Sequence, residues 1–426
     1  MRVVHGWEPV LTGDDADRAR TALDAIARAL ESAAEGSDPA PAVVGEASPP
    51  TDAALADGLS GCALFFAALH EAHPGLGHDR TARRLLDGAI GESGGIADSP
   101  SLFSGITGVA WTMQRLASLC DPEALASLGE IDDAMRAALR GTPSPAGFDL
   151  TDGLVGVGVL ALERLPRPAA RETLERLVVW LEALAEETPD GLTWRARPEA
   201  LHADARASFP AGCHYPGVAH GTAGVVGLLA GLLRVGIAPA GARALLEGAV
   251  RWLCAQELSG GTALFAHQSD GASSRPPARN AWCTGGPGIA LMLWRAGAAA
   301  DRPEWTQQAT ALAAAAMRRP VAEMGVHDAC LCHGSAGLGL LSSRWYHATG
   351  AERFRDDAVR WFRQTLDQRR PGEGVAGFSA MNAPRQRLEP AEGLLFGAAG
   401  IGLALLAATT GRDPAWDRVL LMSDPP

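Results

Sequence analysis

Long apolar runs alternate along the whole chain with stretches that mix apolar residues with arginine and glutamate. Each apolar run opens on two glycines three residues apart. The pairs are Gly58/Gly61, Gly105/Gly108, Gly153/Gly156, Gly221/Gly224, Gly285/Gly288, Gly334/Gly337 and Gly397/Gly400. Runs such as Gly58-Leu59-Ser60-Gly61-Cys62-Ala63-Leu64-Phe65-Phe66 are too long and too rich in Ala and Leu for strands, and predict buried helices. The stretches between them, such as residues 171–186 and 305–319, predict half-exposed amphipathic helices. One Gly-x-x-Gly pair is common by chance, whereas seven in order are an internal repeat.

Each repeat therefore supplies one buried and one half-exposed helix. The fold expected is all-α: an α/α toroid of seven inner and seven outer helices. An open solenoid is the alternative, but its end repeats should be polar caps, and the last repeat here is among the most apolar. Glycines at i and i+3 share a helix face and let neighbouring helix starts approach closely. No internal boundary is evident, so residues 1–426 are read as one domain. An exposed connector is expected near residues 35–50, which are rich in Pro, Ala and Ser. Loop insertions or small strands are expected near 190–217 and 260–277, on either side of the fourth repeat.

Composition narrows the function. With 47% hydrophobic and 20% charged residues the chain can bury a large core. Its 37 basic residues, all arginine, face 49 acidic ones, for a net charge of −12. No basic stripe is available to displace counterions from phosphates, which argues against nucleic acid as a partner. The start of the chain lacks the apolar core of a secretory signal. The run Leu394 to Ala408 is short of the roughly 20 residues that span a bilayer, and reads as a buried helix. Seven scattered cysteines do not make a small disulfide scaffold, so a reducing cytoplasmic setting is expected.

Aligning the repeats on their first glycine puts reactive side chains in one register. His220 directly precedes Gly221, Cys283 lies two places before Gly285, and Cys332 and His333 occupy the two places before Gly334. The fourth, fifth and sixth repeats adjoin in the ring, so these side chains should converge at one end. Two thiolates and one imidazole suit Zn²⁺, and three protein ligands leave a fourth position for water or substrate. The competing reading is that free cysteines simply fill gaps. Cys62, Cys120, Cys213, Cys254 and Cys330 fall outside the register and are read as core or loop, Cys330 being only two residues from Cys332. Helix N-termini at the same end would favour thiolate, carboxylate or a developing enolate.

The segments Ala219-His220-Gly221-Thr222-Ala223-Gly224, Trp282-Cys283-Thr284-Gly285-Gly286-Pro287-Gly288 and Cys332-His333-Gly334-Ser335-Ala336-Gly337 resemble the motifs of the LanC-like lanthipeptide cyclases. The resemblance covers essentially the whole chain, the seven glycine repeats included. It implies an α/α toroid with zinc at one end, held by Cys283, Cys332 and His333. The implied activity joins cysteine thiols of a precursor peptide, core plus leader, to dehydroalanine or dehydrobutyrine made by a separate dehydratase. Lanthionine or methyllanthionine thioether rings result. The resemblance also implies that His220 handles the enolate proton, that Asp149 acts four residues before Gly153, and that Arg279 faces the enolate oxygen or orients Asp149. Asp149 could instead be a helix N-cap, with Asp152 its competitor, and Arg279 a surface ion-pair residue. His214 and His327 are read as non-ligands. Some relatives place an aromatic hydroxyl after the first zinc cysteine; Thr284 stands there in this chain, and Tyr215 is the nearest substitute.

Three other readings compete. A scaffold that binds peptide without turnover has no need of a vacant metal position. An external thiol such as glutathione could replace the peptide cysteine. A prenyltransferase-like zinc toroid would use a carboxylate ligand, and fits the motifs poorly.

Overall fold

The structure is a computed structural model that describes residues 6–35, 53–141, 147–201, 203–259, 263–270, 276–382 and 386–426. The connector expected near 35–50 lies outside these residues, except for Glu35, which ends the first helix.

Fifteen α-helices occur among the described residues. The chain begins with α1 (Gly13–Glu35), α2 (Leu59–Ala72), α3 (His78–Glu92), α4 (Ile106–Arg115) and α5 (Pro122–Ala138). It continues with α6 (Leu154–Glu163), α7 (Pro168–Leu184), the short α8 (Ala203–Ser208), α9 (Thr222–Arg234) and α10 (Pro239–Ala255). The last five are α11 (Gly286–Ala300), α12 (Pro303–Met317), α13 (Ser335–Thr349), α14 (Glu352–Gln368) and α15 (Ala398–Thr409). Three antiparallel pairs decorate them: β1 (Glu186–Thr188) with β2 (Gly191–Thr193), β3 (Arg195–Ala196) with β4 (Cys213–His214), and β5 (Ala380–Asn382) with β6 (Arg387–Glu389).

The helices that follow the seven glycine pairs are α2, α4, α6, α9, α11, α13 and α15. Each packs on the next, and α15 packs back on α2, so the ring is closed. Helices α3, α5, α7, α10, α12 and α14 lie outside α2, α4, α6, α9, α11 and α13. The seventh outer helix is α1, which packs on α15 and touches α14. The toroid is thus sewn shut by its first helix covering its last. The indole of Trp7 donates to the carbonyl of Ala407 (2.8 Å), and the backbone amides of Val10 and Leu11 both donate to that of Ala408.

Pattern explains placement. Every residue of α6 is buried, as its apolar sequence requires, and the one charge, Glu163 at its end, is paired with Arg418. By contrast, α14 buries Phe354, Ala358, Trp361, Phe362, Thr365 and Leu366, a stripe at helical spacing. Four outer helices start on proline (Pro122, Pro168, Pro239, Pro303), where a missing N–H leaves no helical bond unmade. The stretch 171–186 does not stay helical to its end. The chain turns extended at Ala185, and Glu186 opens β1, where its carboxylate pairs with Arg195 and His214. The insertion expected near 190–217 holds β2 to β4 and α8, with β1 just ahead of it, and the described part of 260–277 makes isolated bridges only. A further hairpin, β5–β6, fills the long sixth-to-seventh spacing that the sequence pattern left without an element.

The glycine pairs serve a tighter contact than helix-to-helix approach. The first glycine precedes the helix in extended backbone at six pairs; Gly285 has φ +82°, where a side chain would be strained. A Cβ on the second glycine would run into the carbonyl oxygen of the residue six places earlier in all seven pairs. Its preceding loop therefore folds back onto the helix start. Loop side chains of the adjoining repeat come next, Leu55 at Gly108 and Leu102 at Gly156 among them.

Those loops are joined by a circle of backbone hydrogen bonds. Ala56 N–H donates to Phe103 C=O, Leu102 to Thr151, Leu150 to Ala219 and Val218 to Cys283. Trp282 then donates to Cys332, Cys332 to Leu395, and Leu395 back to Ala56. Every acceptor is the residue two places before a first glycine. The centre of the ring is filled rather than open. Trp282 lies edge-on to Phe103 from across the ring (6.1 Å), and its indole donates to the carbonyl of Leu420 (2.9 Å). The C-terminal residues Val419 to Met422 are buried there, and Asp417 takes the buried Arg344 of α13. No helix among the described residues is long and apolar enough to cross a membrane.

Candidate metal and acid–base site

All seven inner helices point their N-termini to the end of the ring where the hydrogen-bonded loops lie. The loop circle carries the reactive register with it. Cys283 accepts two backbone bonds, from Val218 and Ala219, while Cys332 accepts from Trp282 and donates to Leu395. Both cysteines are therefore mounted on the junctions that close the toroid, and adjoining repeats bring them together. The two sulfurs and a ring nitrogen of His333 lie within 4.8 Å of one another. Cys332 is buried, and Cys283 and His333 are half-buried.

The three groups shift one another's protonation. A hydrogen bond from Cys332 holds the Cys283 thiol well below its ordinary pKa, helped by His333 and the charge of Arg279. The same bond, with burial, pushes Cys332 well above. Burial disfavours charge on His333, but Cys330 and bonds to Cys283 and Cys330 outweigh it and raise its pKa. Two thiols and one imidazole, with no fourth donor among the described residues joining all three within the same distance, fit a tetrahedral zinc ion with one position left over.

Sequence reasoning missed a second group on the same loop. Asp328, Cys330 and His333 also lie with donor atoms within 4.8 Å of one another. The Asp328 carboxylate is buried, accepts from the backbone N–H of Cys330 (3.0 Å) and of Met381 in β5 (2.8 Å), and lies 4.0 Å from Nε2 of His333. It anchors the Cys332–His333 loop to the β5–β6 hairpin. Proximity of Cys330 to Cys332 was its only signal in the sequence.

Asp149 and His220 form a dyad. The carboxylate Oδ2 of Asp149 lies 2.8 Å from Nδ1 of His220, and its Oδ1 accepts from the backbone N–H of Asp152 (2.8 Å). Burial disfavours the imidazolium, but the Asp149 hydrogen bond and charge, with Asp152 and Cys283, raise His220 to about 9. The ring is 53% exposed although protein surrounds it on several sides, as expected of a group in an open depression. Arg279 bears on both thiols through its charge, yet makes no ion pair with Asp149 among the described residues. Asp152 contributes its amide to the dyad and keeps a raised carboxyl pKa, through burial and then Asp149.

The other polar neighbours differ. His214 pairs with Glu186 (2.9 Å), away from the thiol group. The ring of Tyr215 lies 6.3 Å from that of His220 and 5.6 Å from that of His267. His267, which no motif marks, places Nδ1 3.2 Å from the hydroxyl of Thr284.

The chain matches the family model "Lanthionine synthetase C-like protein" over residues 49–421. It is 25% identical over 274 residues to the nisin biosynthesis protein NisC of Lactococcus lactis subsp. lactis, a match covering 60% of this chain. That match spans 64% of the relative's length. The solved structure titled nisin cyclase superposes with a TM-score of 0.75 at 20% identity, over 95% of this chain and 97% of that one. The last comparison concerns the fold.

Proposed function

The chain belongs to the lanthionine synthetase C-like family, and from that premise we propose that it is a thioether-forming peptide cyclase. Its substrate on this reading is a precursor peptide that already carries dehydroalanine or dehydrobutyrine, supplied by a separate dehydratase. Each turnover adds a cysteine S–H of that peptide across a dehydroamino-acid double bond. The observation that carries the reading is the convergence of Cys283, Cys332 and His333 from adjoining repeats, beside an Asp149–His220 dyad.

Cys283, Cys332 and His333 are the residues that would hold zinc. Bound there, the ion would lower the pKa of an arriving thiol, which free in solution is about 8.5 and mostly protonated near neutral pH. The remaining work falls to the chain. Attack on the β-carbon moves charge onto the neighbouring carbonyl oxygen, and Arg279 is placed in charge reach of the thiols to meet it. Asp149 holds Nδ1 of His220, which leaves Nε2 facing the opening with a proton to give. A group raised to about 9 is protonated at neutral pH and suits delivery of that proton to the α-carbon. Trp282, bonded to the Leu420 carbonyl and set edge-on to Phe103 across the ring, forms the floor beneath the reacting groups on this reading.

The test is to incubate the purified protein with a synthetic peptide holding one cysteine and one dehydroalanine. Cyclisation leaves mass unchanged, so the readout is disappearance of alkylatable thiol. A wild-type protein with zinc that leaves the thiol fully alkylatable rejects the proposal. Consumption only when glutathione is added, with its mass on the peptide, transfers the activity to an external thiol.

A further inference from the structure

His267 lies on a segment that the sequence marks only as an insertion, yet the fold pins that segment over the site. Ala266 bridges Pro277, the amide of His267 donates to Pro276 C=O (3.3 Å), and Ser269 exchanges two backbone bonds with His214 (2.7 and 2.8 Å). The imidazole so held meets the hydroxyl of Thr284, the residue after Cys283, through Nδ1 at 3.2 Å. Its ring stands edge-on to Tyr215, and the Tyr215 ring also lies 6.3 Å from that of His220. Nε2 of His267 has no hydrogen-bond partner among the described residues. Two imidazoles thus flank one tyrosine at the mouth of one site, each fixed at Nδ1, one by a carboxylate and one by a neutral hydroxyl.

We infer that His267 is a second imidazole of the proposed cyclisation: the base that takes up the thiol proton, with Thr284 a positioning residue that sets its tautomer. The inference rests on the cyclase reading. Nδ1–H donates to Thr284 Oγ1, which leaves the Nε2 lone pair to accept. The S–H bond breaks with its electron pair left on sulfur, and the proton goes to His267 Nε2. The C–S bond forms at the β-carbon as the double-bond pair moves toward the carbonyl. His220 then gives its Nε2 proton to the α-carbon. The sum is addition of S–H across C=C, and water returns the proton from His267 to His220 between turnovers.

The surroundings support the division of labour. Burial lowers the pKa of His267; the Cys283 charge opposes this, and the positive charges of Arg279 and His220 add to it. Among the described residues, Tyr215, Cys283, Thr284, Arg279 and His220 are the titratable, polar and charged groups that bear on it. One imidazole is kept charged by Asp149 and the other neutral, so acid and base are separated by environment.

The experiment uses the full-length, zinc-loaded protein with the same one-cysteine, one-dehydroalanine peptide. Nitrogen NMR of imidazole-labelled protein should show His267 as the neutral Nδ1–H tautomer, and Thr284→Val should turn that signal into a mixture. His267→Gln should slow cyclisation by roughly a hundredfold, with zinc content unchanged and partial rescue by added imidazole. Thr284→Val should slow it by about five- to tenfold. The inference is overturned by an Nε2–H tautomer in the wild type, by a His267→Gln rate within twofold, or by zinc loss in that variant. Wild-type protein that fails to cyclise the peptide sinks the cyclase reading, and with it this base role; the tautomer alone then reports on the Thr284 contact.

Discussion

In repeats seven, one and two the two places before the first glycine hold Leu395-Phe396, Ala56-Asp57 and Phe103-Ser104. In repeats four, five and six they hold Ala219-His220, Cys283-Thr284 and Cys332-His333. Both arcs use the same glycine pair, the same loop folded onto a helix start and the same backbone bond to the next repeat. The loop-to-loop bonds of both arcs are made between main-chain groups, so the side chains these arcs carry at this register are not needed for them. One arc fills them mainly with apolar groups, and Phe396 packs its ring 5.6 Å from that of His333. The other arc fills them with donors. A repeat fold can thus acquire chemistry at one register without altering the contacts that hold it together.

The comparison breaks most visibly at the sulfurs. Cys332→Ala should remove bound zinc and reduce cyclisation by roughly a thousandfold or more. Ser104→Ala, at the place in the apolar arc that aligns with His333, should leave zinc content and rate within about twofold. Metal analysis and thiol alkylation on matched preparations check both.

The dyad comes next. His220→Ala should lower the turnover rate by about a hundredfold or more with zinc retained. The wild-type rate should hold while His220 is protonated and fall as pH rises through about 9, since Asp149 raises that pKa. Asp149→Asn removes the charge and leaves at most a neutral hydrogen bond, so the alkaline limb of the profile should move toward the ordinary imidazole value near 6.5. A limb that does not move separates Asp149 from the proton transfer.

Asp57 sharpens the contrast, being a carboxylate in the apolar arc. Its Oδ1 is buried with no hydrogen-bond partner among the described residues, and burial raises its pKa from 3.8 to about 7. A carboxyl with a raised folded-state pKa favours the fold below its unfolded value, and that contribution is lost as pH rises through about 7. Asp57→Asn should therefore flatten the decline in stability between pH 4 and 7 by roughly 2–4 kcal/mol, read by denaturant titration. The metal centre should not respond.

The smallest effects probe what the arcs share. Gly108→Ala and Gly337→Ala each set a Cβ against a loop carbonyl, at Leu102 and Leu331. Each should destabilise by about 2 kcal/mol. Only Gly337→Ala, which disturbs the Cys332 loop, should also weaken zinc binding.

Much of this was legible in the sequence because a repeat multiplies weak signals. Seven glycine pairs gave the number and starts of the inner helices, and the shared register brought Cys283, Cys332, His333 and His220 to one end. What one repeat cannot report stayed hidden. That α1 covers α15 is a contact between the chain's two ends, which amphipathic spacing does not encode. The β5–β6 hairpin is two three-residue strands without a turn signature. Asp328 and His267 lie outside the register, and long-range pairings help to fix both, Asp328 with Met381 and the His267 segment with His214.

The most direct test of the whole account is X-ray absorption at the zinc edge on protein purified without added metal. One zinc per chain is expected, with two sulfur neighbours, one imidazole nitrogen and one light exchangeable atom. Protein without bound metal, or zinc whose nearest neighbours include no more than one sulfur, would contradict it.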